Sequence, residues 1–252
     1  MTVQCFMPVY NEADLLPHVL AHMRSQGVDV HALDGWSSDG CWEILRDAGP
    51  GVTAERFPAR ADDGVWNCRR TLQRVESLAQ ASKADWCCLS DVDEWRRSPR
   101  PGETLAEGIA RWDAEGYTVI DHRVYAFFCT DSGWTGGPEK YFRWYNTRDM
   151  LCTLAQQKIW KNVGRVNLVD SGGHTIRFPR KRVAPEWFTM KHYPFRTPAQ
   201  AREKLETRLA RRCHEEHQAG WGVHYDEFPP GFSFCWNPAD LKWWSNTESA
   251  LP

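Results

Sequence analysis

The sequence predicts an α/β fold, a mixed and mostly parallel sheet flanked by helices, on three observations. Short apolar runs alternate with segments whose apolar residues recur at helical spacing. The run Trp86-Cys87-Cys88-Leu89-Ser90 is short, apolar and bounded by polar residues, which suits a central strand buried on both faces. Three carboxylates, Asp91, Asp93 and Glu94, follow it immediately, at the strand edge where open α/β sheets bind ligands.

The elements follow in order. Val3 to Met7 forms a strand that runs into Pro8, and Asn11-Glu12-Ala13-Asp14 opens a helix carrying Leu15, Leu16, Val19, Leu20 and Met23 at helical spacing. A second strand, Val28 to Leu33, enters the loop Asp34-Gly35-Trp36-Ser37-Ser38-Asp39-Gly40, and Trp42, Ile44 and Leu45 open the next helix. A third unit runs from Asp62 through a helix, Trp66 to Ala81, into the Trp86–Ser90 strand. Thr104 to Glu115 is a helix, Tyr117 to Ile120 a strand, and the aromatic segment Val124 to Tyr145 reads as strands and loops. Polar and apolar residues alternate from Lys158 to Val169, which suggests a strand pair. One last helix spans Pro198 to His217, and the tail beyond Gly220, rich in Trp, Phe and Pro, wraps the body as irregular structure.

With 252 residues, the chain can bury one substantial core. A net charge of -2 gives no global attraction to polyanions, so no nucleic-acid partner is expected. Nine cysteines, scattered and without a CxxC pair, point to free thiols in a reducing compartment. The amino terminus has no signal-peptide or membrane-helix pattern, so the expectation is a cytoplasmic protein, associated with membranes at most peripherally. The basic helix around Arg202 to Arg212 is interleaved with Glu203, Glu206, Glu215 and Glu216 and reads as a solvated face. The fourteen tryptophans suit either core packing or stacking on sugar rings.

The acidic cluster carries the chemistry. At the end of a strand the chain turns, so Asp91 and Asp93 can reach one ion, and three carboxylates beside a buried strand repel one another unless a cation relieves them. Manganese or magnesium prefers oxygen ligands and keeps positions open for phosphate oxygens. Such a cation neutralises a departing diphosphate. A solvated acidic turn is the alternative.

Pro8-Val9-Tyr10-Asn11-Glu12, Asp34 to Gly40 and Asp91-Val92-Asp93-Glu94 together resemble, in order and spacing, the family 2 glycosyltransferases of the GT-A fold that carry a DxDE motif. A weaker likeness continues through Lys158, Gly173-His174 and His192-Tyr193-Pro194-Phe195-Arg196. The resemblance implies a transferase domain over residues 1–197, with 1–97 as the nucleotide-binding half and 98–197 as the acceptor side. Residues 198–252 then pack on it as a C-terminal helix and aromatic tail.

It also implies roles. Pro8, Tyr10, Asn11, Glu12 and Asp34 would line the base and ribose of a nucleotide-diphosphate sugar donor, although Asn11 and Asp39 are equally suited to capping helices. Asn67, with Arg69 or Arg70, would face the diphosphate. Asp93 would be the direct ligand of Mn2+ or Mg2+, Asp91 would bind ribose or the metal through water, Glu94 would orient either, and His192 would complete the metal site. Trp36 departs from the small or polar residue usual there and leaves the nucleotide open. An inverting transfer to a small-molecule or glycan hydroxyl needs one general base. Glu139, Asp170, Glu186 and His174 are candidates, Asp170 and His174 foremost because they flank one glycine turn. The competing functions are a nucleotidyltransferase making an activated sugar, for which Pro8 to Glu12 lacks a glycine-rich phosphate loop, and a non-catalytic sugar-binding module, which would not need the acidic cluster.

Overall fold

The acidic turn joins two sheets in the computed structural model, which describes residues 1–60, 67–131, 133–134, 137–147, 156–229 and 231–245. The chain runs β1 (Val3–Val9), α1 (Leu16–Ser25), β2 (Asp29–Asp34), α2 (Cys41–Asp47), β3 (Val52–Arg56), α3 (Cys68–Ala81), β4 (Trp86–Leu89) and β5 (Glu94–Arg97). It continues through α4 (Leu105–Ala114), β6 (Val119–Ile120), β7 (His122–Phe127), α5 (Pro138–Tyr141), β8 (Trp144–Asn146) and β9 (Ile159–Lys161). The last elements are β10 (Phe188–His192), α6 (Pro198–Arg211), α7 (His214–Gln218) and β11 (Lys242–Trp243).

The first sheet has the order β3-β2-β1-β4-β9-β6, parallel from β3 to β4 and antiparallel beyond. Its strands are apolar on both faces because helices cover both. Val3, Cys5, Met7 and Val9 of β1 pack on the side of Leu16, Val19 and Leu20 of α1, while Phe6 packs on the other side with Leu72 and Val75 of α3. Trp86 and Cys88 of β4 alternate with Cys87 and Leu89 in the same way. The predicted fold class is therefore the observed one.

Several local expectations change. The sequence reading had no strand at β3, and β5 is built from Glu94-Trp95-Arg96-Arg97, a charged segment without an apolar pattern. The proposed strand pair between Lys158 and Val169 reduces to β9 and a single bridge, Asn167 to Arg177, because a 3-10 turn at Val169–Ser171 takes the chain out of the sheet. The last helix breaks into α6 and α7 where Arg212 turns extended and binds Asp226 at 2.8 and 2.9 Å. Asp62 and Trp66, placed at the head of the third unit, lie outside the described residues.

The second sheet, β11-β8-β7-β10-β5, contributes β10 antiparallel to β5, with His192 opposite Glu94. That register carries His192 to the acidic turn. Glu94 pins the turn: its Oε2 accepts from Arg96 at 2.6 Å and from the Asp91 backbone N–H at 3.2 Å, and its Oε1 accepts from Lys158 at 2.8 Å. Burial would raise the Glu94 carboxyl, but Lys158 and Arg96 outweigh it and bring it down to about 2. Behind the turn His22 of α1 stacks on Trp95 at 4.7 Å and donates from Nε2 to the Arg96 carbonyl at 2.9 Å. Burial, helped by Arg97, lowers its pKa to about 4.

Two predictions follow from this buried network. Removing one partner strands a buried charge, so Lys158→Met should cost about 3–5 kcal/mol in urea unfolding. A loss below about 1 kcal/mol, the size of a surface pair, would show that the pair is not buried in solution. His22 stays neutral in the folded protein down to about pH 4, whereas the unfolded chain binds the proton from about pH 6.5. Stability should therefore fall as pH drops through that window, with His22 contributing about 2 kcal/mol of the loss at pH 5. His22→Gln, which keeps a donor for Arg96, should flatten that slope, and an unchanged slope would locate the protonation elsewhere.

Candidate active site

β1 and β2 end side by side, with Val9 opposite Asp34, and each exits through a non-glycine residue with left-handed backbone, Asn11 at φ 50° and Trp36 at φ 64°. Such conformations persist where surrounding bonds hold them. Here the two loops are laced together. The Asn11 N–H donates to Ser37 Oγ at 3.1 Å, and the Ser38 N–H to Asn11 Oδ1 at 2.9 Å. The Ala13 N–H donates to Asp39 Oδ2 at 2.8 Å, while Asp39 Oδ1 accepts from Cys41 N–H at the head of α2. Asp34 is fully buried beneath this lacing, accepting from the Ser37 N–H and facing Arg56 at 3.7 Å. Trp36 donates to the Pro58 carbonyl at 2.8 Å with the Arg56 guanidinium 4.5 Å from its ring, so its bulk stays out of the neighbouring cavity.

That cavity, about 1010 Å³, is where the predicted residues meet. Pro8, Tyr10, Asn11, Glu12, Asp91, Asp93, His174 and His192 line it. Asp34, Asn67, Arg70 and Asp170 are not on its wall. Asn67 instead caps α3, its Oδ1 accepting from the Arg70 N–H at 2.9 Å, and α3 presents Cys68, Thr71 and Leu72 to the cavity. Among the described tryptophans, Trp221 is the one on the wall.

The acidic turn is already charge-compensated by the protein. Asp93 Oδ2 lies 2.7 Å from Lys204 Nζ and 3.6 Å from His192 Nε2, and Lys204 also reaches Glu12 at 3.0 Å. Burial would raise the Asp93 carboxyl, but Lys204 and His192 hold it well below the usual carboxylate range. Asp91, half exposed, lies 3.6 Å from Lys158. Among the described residues no three His, Cys, Asp or Glu side chains are already gathered as a metal-holding group. The donor types do suit a hard cation: two carboxylates face one cavity with an imidazole, whose Nδ1 is buried without a hydrogen-bond partner. The cation at Asp93 is the Lys204 ammonium.

The glycine turn separates the two foremost base candidates. Gly172 and Gly173 both have left-handed backbone, φ 62° and 86°, and a Cβ on Gly173 would come within 3.0 Å of Leu72. The chain thereby brings His174 onto the cavity wall, its Nδ1 3.2 Å from the Gln156 amide, while Asp170 stays half exposed beside Arg177 at 3.4 Å. Glu139 is tied to Arg97 and Lys191, and Glu186 to Arg111 at 2.8 Å, both away from the wall.

The sequence predicts the helix that becomes α6 and α7 but not its place in the site. Lys204, Arg208 and Arg211 of α6 and Glu216 of α7 line the cavity, so one face of the helix expected to be solvated borders it, while Arg202 stays exposed. Their spacing, i, i+4 and i+7, was the available signal, because it puts all three on one face. Among the described residues no helix is long and apolar enough to cross a membrane, and the cysteines are free thiols.

No curated protein matches the chain. Among solved structures, it is similar to TarS of S. aureus, at 13% identity over 83% of this chain and 39% of that chain, TM-score 0.46. The same protein as residues 1-349 in complex with UDP-GlcNAc gives 11% identity over 84% and 66%, TM-score 0.46. A mannosyltransferase, PcManGT from Pyrobaculum calidifontis, in complex with GDP-Man and Mn2+, gives 19% over 51% and 35%, TM-score 0.35. The chain thus spans well under half of the full TarS chain. The pattern of glycosyl transferase family 2 matches residues 5–162, from β1 through β9 and across the loops after β1 and β2 and the acidic turn. The chain belongs to glycosyl transferase family 2.

Proposed function

We propose that this glycosyltransferase moves a sugar, with inversion, from a nucleoside diphosphate sugar to an acceptor hydroxyl, and that the reaction needs a divalent cation. One observation carries the reading: Asp91 and Asp93 from the end of β4, His192 from the end of β10 and Tyr10, Asn11 and Glu12 from the end of β1 line a single cavity. Residues 1–197 form the catalytic domain in this reading, with 198–252 as a C-terminal helix and aromatic tail packed on it, and residues between Gln200 and Tyr225 add to the cavity wall. The free thiols support a reducing, cytoplasmic setting.

Tyr10, Asn11 and Glu12 receive the base and ribose, their loop held rigid by its bonds to Ser37, Ser38 and Asp39. Asp91, Asp93 and His192 would hold Mn2+ or Mg2+, which when bound supplies Lewis-acid stabilisation of the departing diphosphate. Glu94 fixes where those carboxylates point through its bond to the Asp91 N–H. His174 takes the proton of the acceptor hydroxyl as its oxygen bonds to the anomeric carbon from the face opposite the leaving group. The bond from that carbon to the phosphate oxygen breaks, and the diphosphate leaves with the electron pair. Trp221, beside Gly172, offers an apolar face to a sugar ring.

Two outcomes test this. Asp93→Asn should lower kcat by about a hundredfold or more, and excess EDTA should abolish turnover until manganese is restored. Full activity in EDTA would sink the metal requirement. His174→Ala should lower kcat by about 10²–10⁴-fold with little change in donor KM, whereas Asp170→Ala should leave kcat within about threefold. Steady-state kinetics showing the reverse order would move the base to Asp170.

A further inference from the structure

Three basic residues of α6 line the cavity and take no part in the proton transfer. Lys204, Arg208 and Arg211 recur at i, i+4 and i+7, which places them in a row along one helix face about 10 Å long. Contacts with two different parts of the site fix the ends of the row. Arg211 sits with its guanidinium 3.5 Å from the centre of the Tyr10 ring and reaches the Gly35 carbonyl at 3.4 Å. Lys204 binds Asp93 and Glu12. Arg208, one turn from Lys204 and beside the Tyr225 ring at 5.8 Å, is the middle of the row, and its positive charge acts on both Asp91 and Asp93.

We infer that α6 is the diphosphate-binding wall of the donor site, with Arg208 as the residue that takes the phosphate oxygens. The inference rests on the donor reading above. A donor with its base at Tyr10 and its leaving group at Asp93 must carry its two phosphates across the stretch between Arg211 and Lys204, which is the level of Arg208. A guanidinium presents a planar fork of donors that matches two phosphate oxygens, and the ammonium of Lys204 adds a point charge at the Asp93 end. Lys204 and Arg211 hold the carboxylates and the aromatic ring that the donor would use. The acidic floor and the basic wall therefore compensate each other until an anion enters between them.

Calorimetric binding of UDP, UMP, GDP and GMP at saturating manganese tests the assignment on wild type, Arg208→Met, Arg208→Lys and Arg202→Met, the last an exposed control on the same helix. Losing a charge-assisted contact to phosphate should weaken the preferred diphosphate about tenfold or more, and its monophosphate by less than about threefold. Arg208→Lys should recover part of the loss, and Arg202→Met should match wild type. Equal weakening of monophosphate and diphosphate, with Arg208→Lys no better than Arg208→Met, would overturn the inference. So would an unchanged diphosphate affinity in Arg208→Met. If wild type binds none of the four nucleotides, the donor reading fails and takes the inference with it. If wild type binds a diphosphate that Arg208→Met holds equally well, only the role of α6 is lost.

Discussion

The carboxylate of Glu94 is the point on which the site is hung. It lies in the seam between the two sheets and simultaneously accepts from Lys158, from Arg96 and from the backbone of Asp91. A charge buried this deeply is tolerated only with its counter-charges and hydrogen bonds in place. Satisfying it sets the path of the chain between β4 and β5, and so the directions of Asp91 and Asp93. The same segment, as β5, aligns β10 and delivers His192 from almost a hundred positions away in sequence. Packing of the first sheet puts the turn at the carboxyl edge of its parallel strands, and Glu94 gives the turn its shape.

Around that anchor the cavity is divided by charge. Glu12, Asp91 and Asp93 make one side acidic, and α6 sets Lys204, Arg208 and Arg211 against it, with Glu203 and Glu216 beside them. The repulsion that three adjacent carboxylates would otherwise suffer is relieved within the protein, by Lys158, Arg96 and Lys204. Burial and pairing pull in opposite directions at each of these groups. At Asp93 and Glu94 pairing prevails, so both remain ionised well into acid.

How much of this could be read from the sequence depended on whether the cause was local. β1, β2 and β4 are legible because strands buried on both faces need apolar side chains in succession, and β1's Cys5-Phe6-Met7 and β4's Trp86-Cys87-Cys88-Leu89 supply them. The loops after β1 and β2 and the acidic turn are legible from residue order. β5 is not, since Glu94 and Arg96 look like surface residues and are buried only because they neutralise each other. Asp34 carries the opposite lesson: its position suggested a ligand contact, yet beneath the loops it bonds to Ser37 and faces Arg56. The inward face of α6 is likewise invisible locally, because its acidic partners, Glu12 and Asp93, lie more than a hundred residues upstream.

The lacing of the loops after β1 and β2 bears on how the proposed nucleotide site can change. Asn11 and Ala13 on one loop are bonded to Ser37, Ser38 and Asp39 on the other, and both left-handed residues depend on that mutual support. Groups bonded in one network respond together, and substitutions among them do not add. In the proposed donor site, the edge that would meet the base is thus built as one block of two loops. On that reading, exchanging the Tyr10 loop without its Ser37 partner would break the fit between the two, and a graft of both loops is the smallest unit expected to carry a nucleotide preference with it.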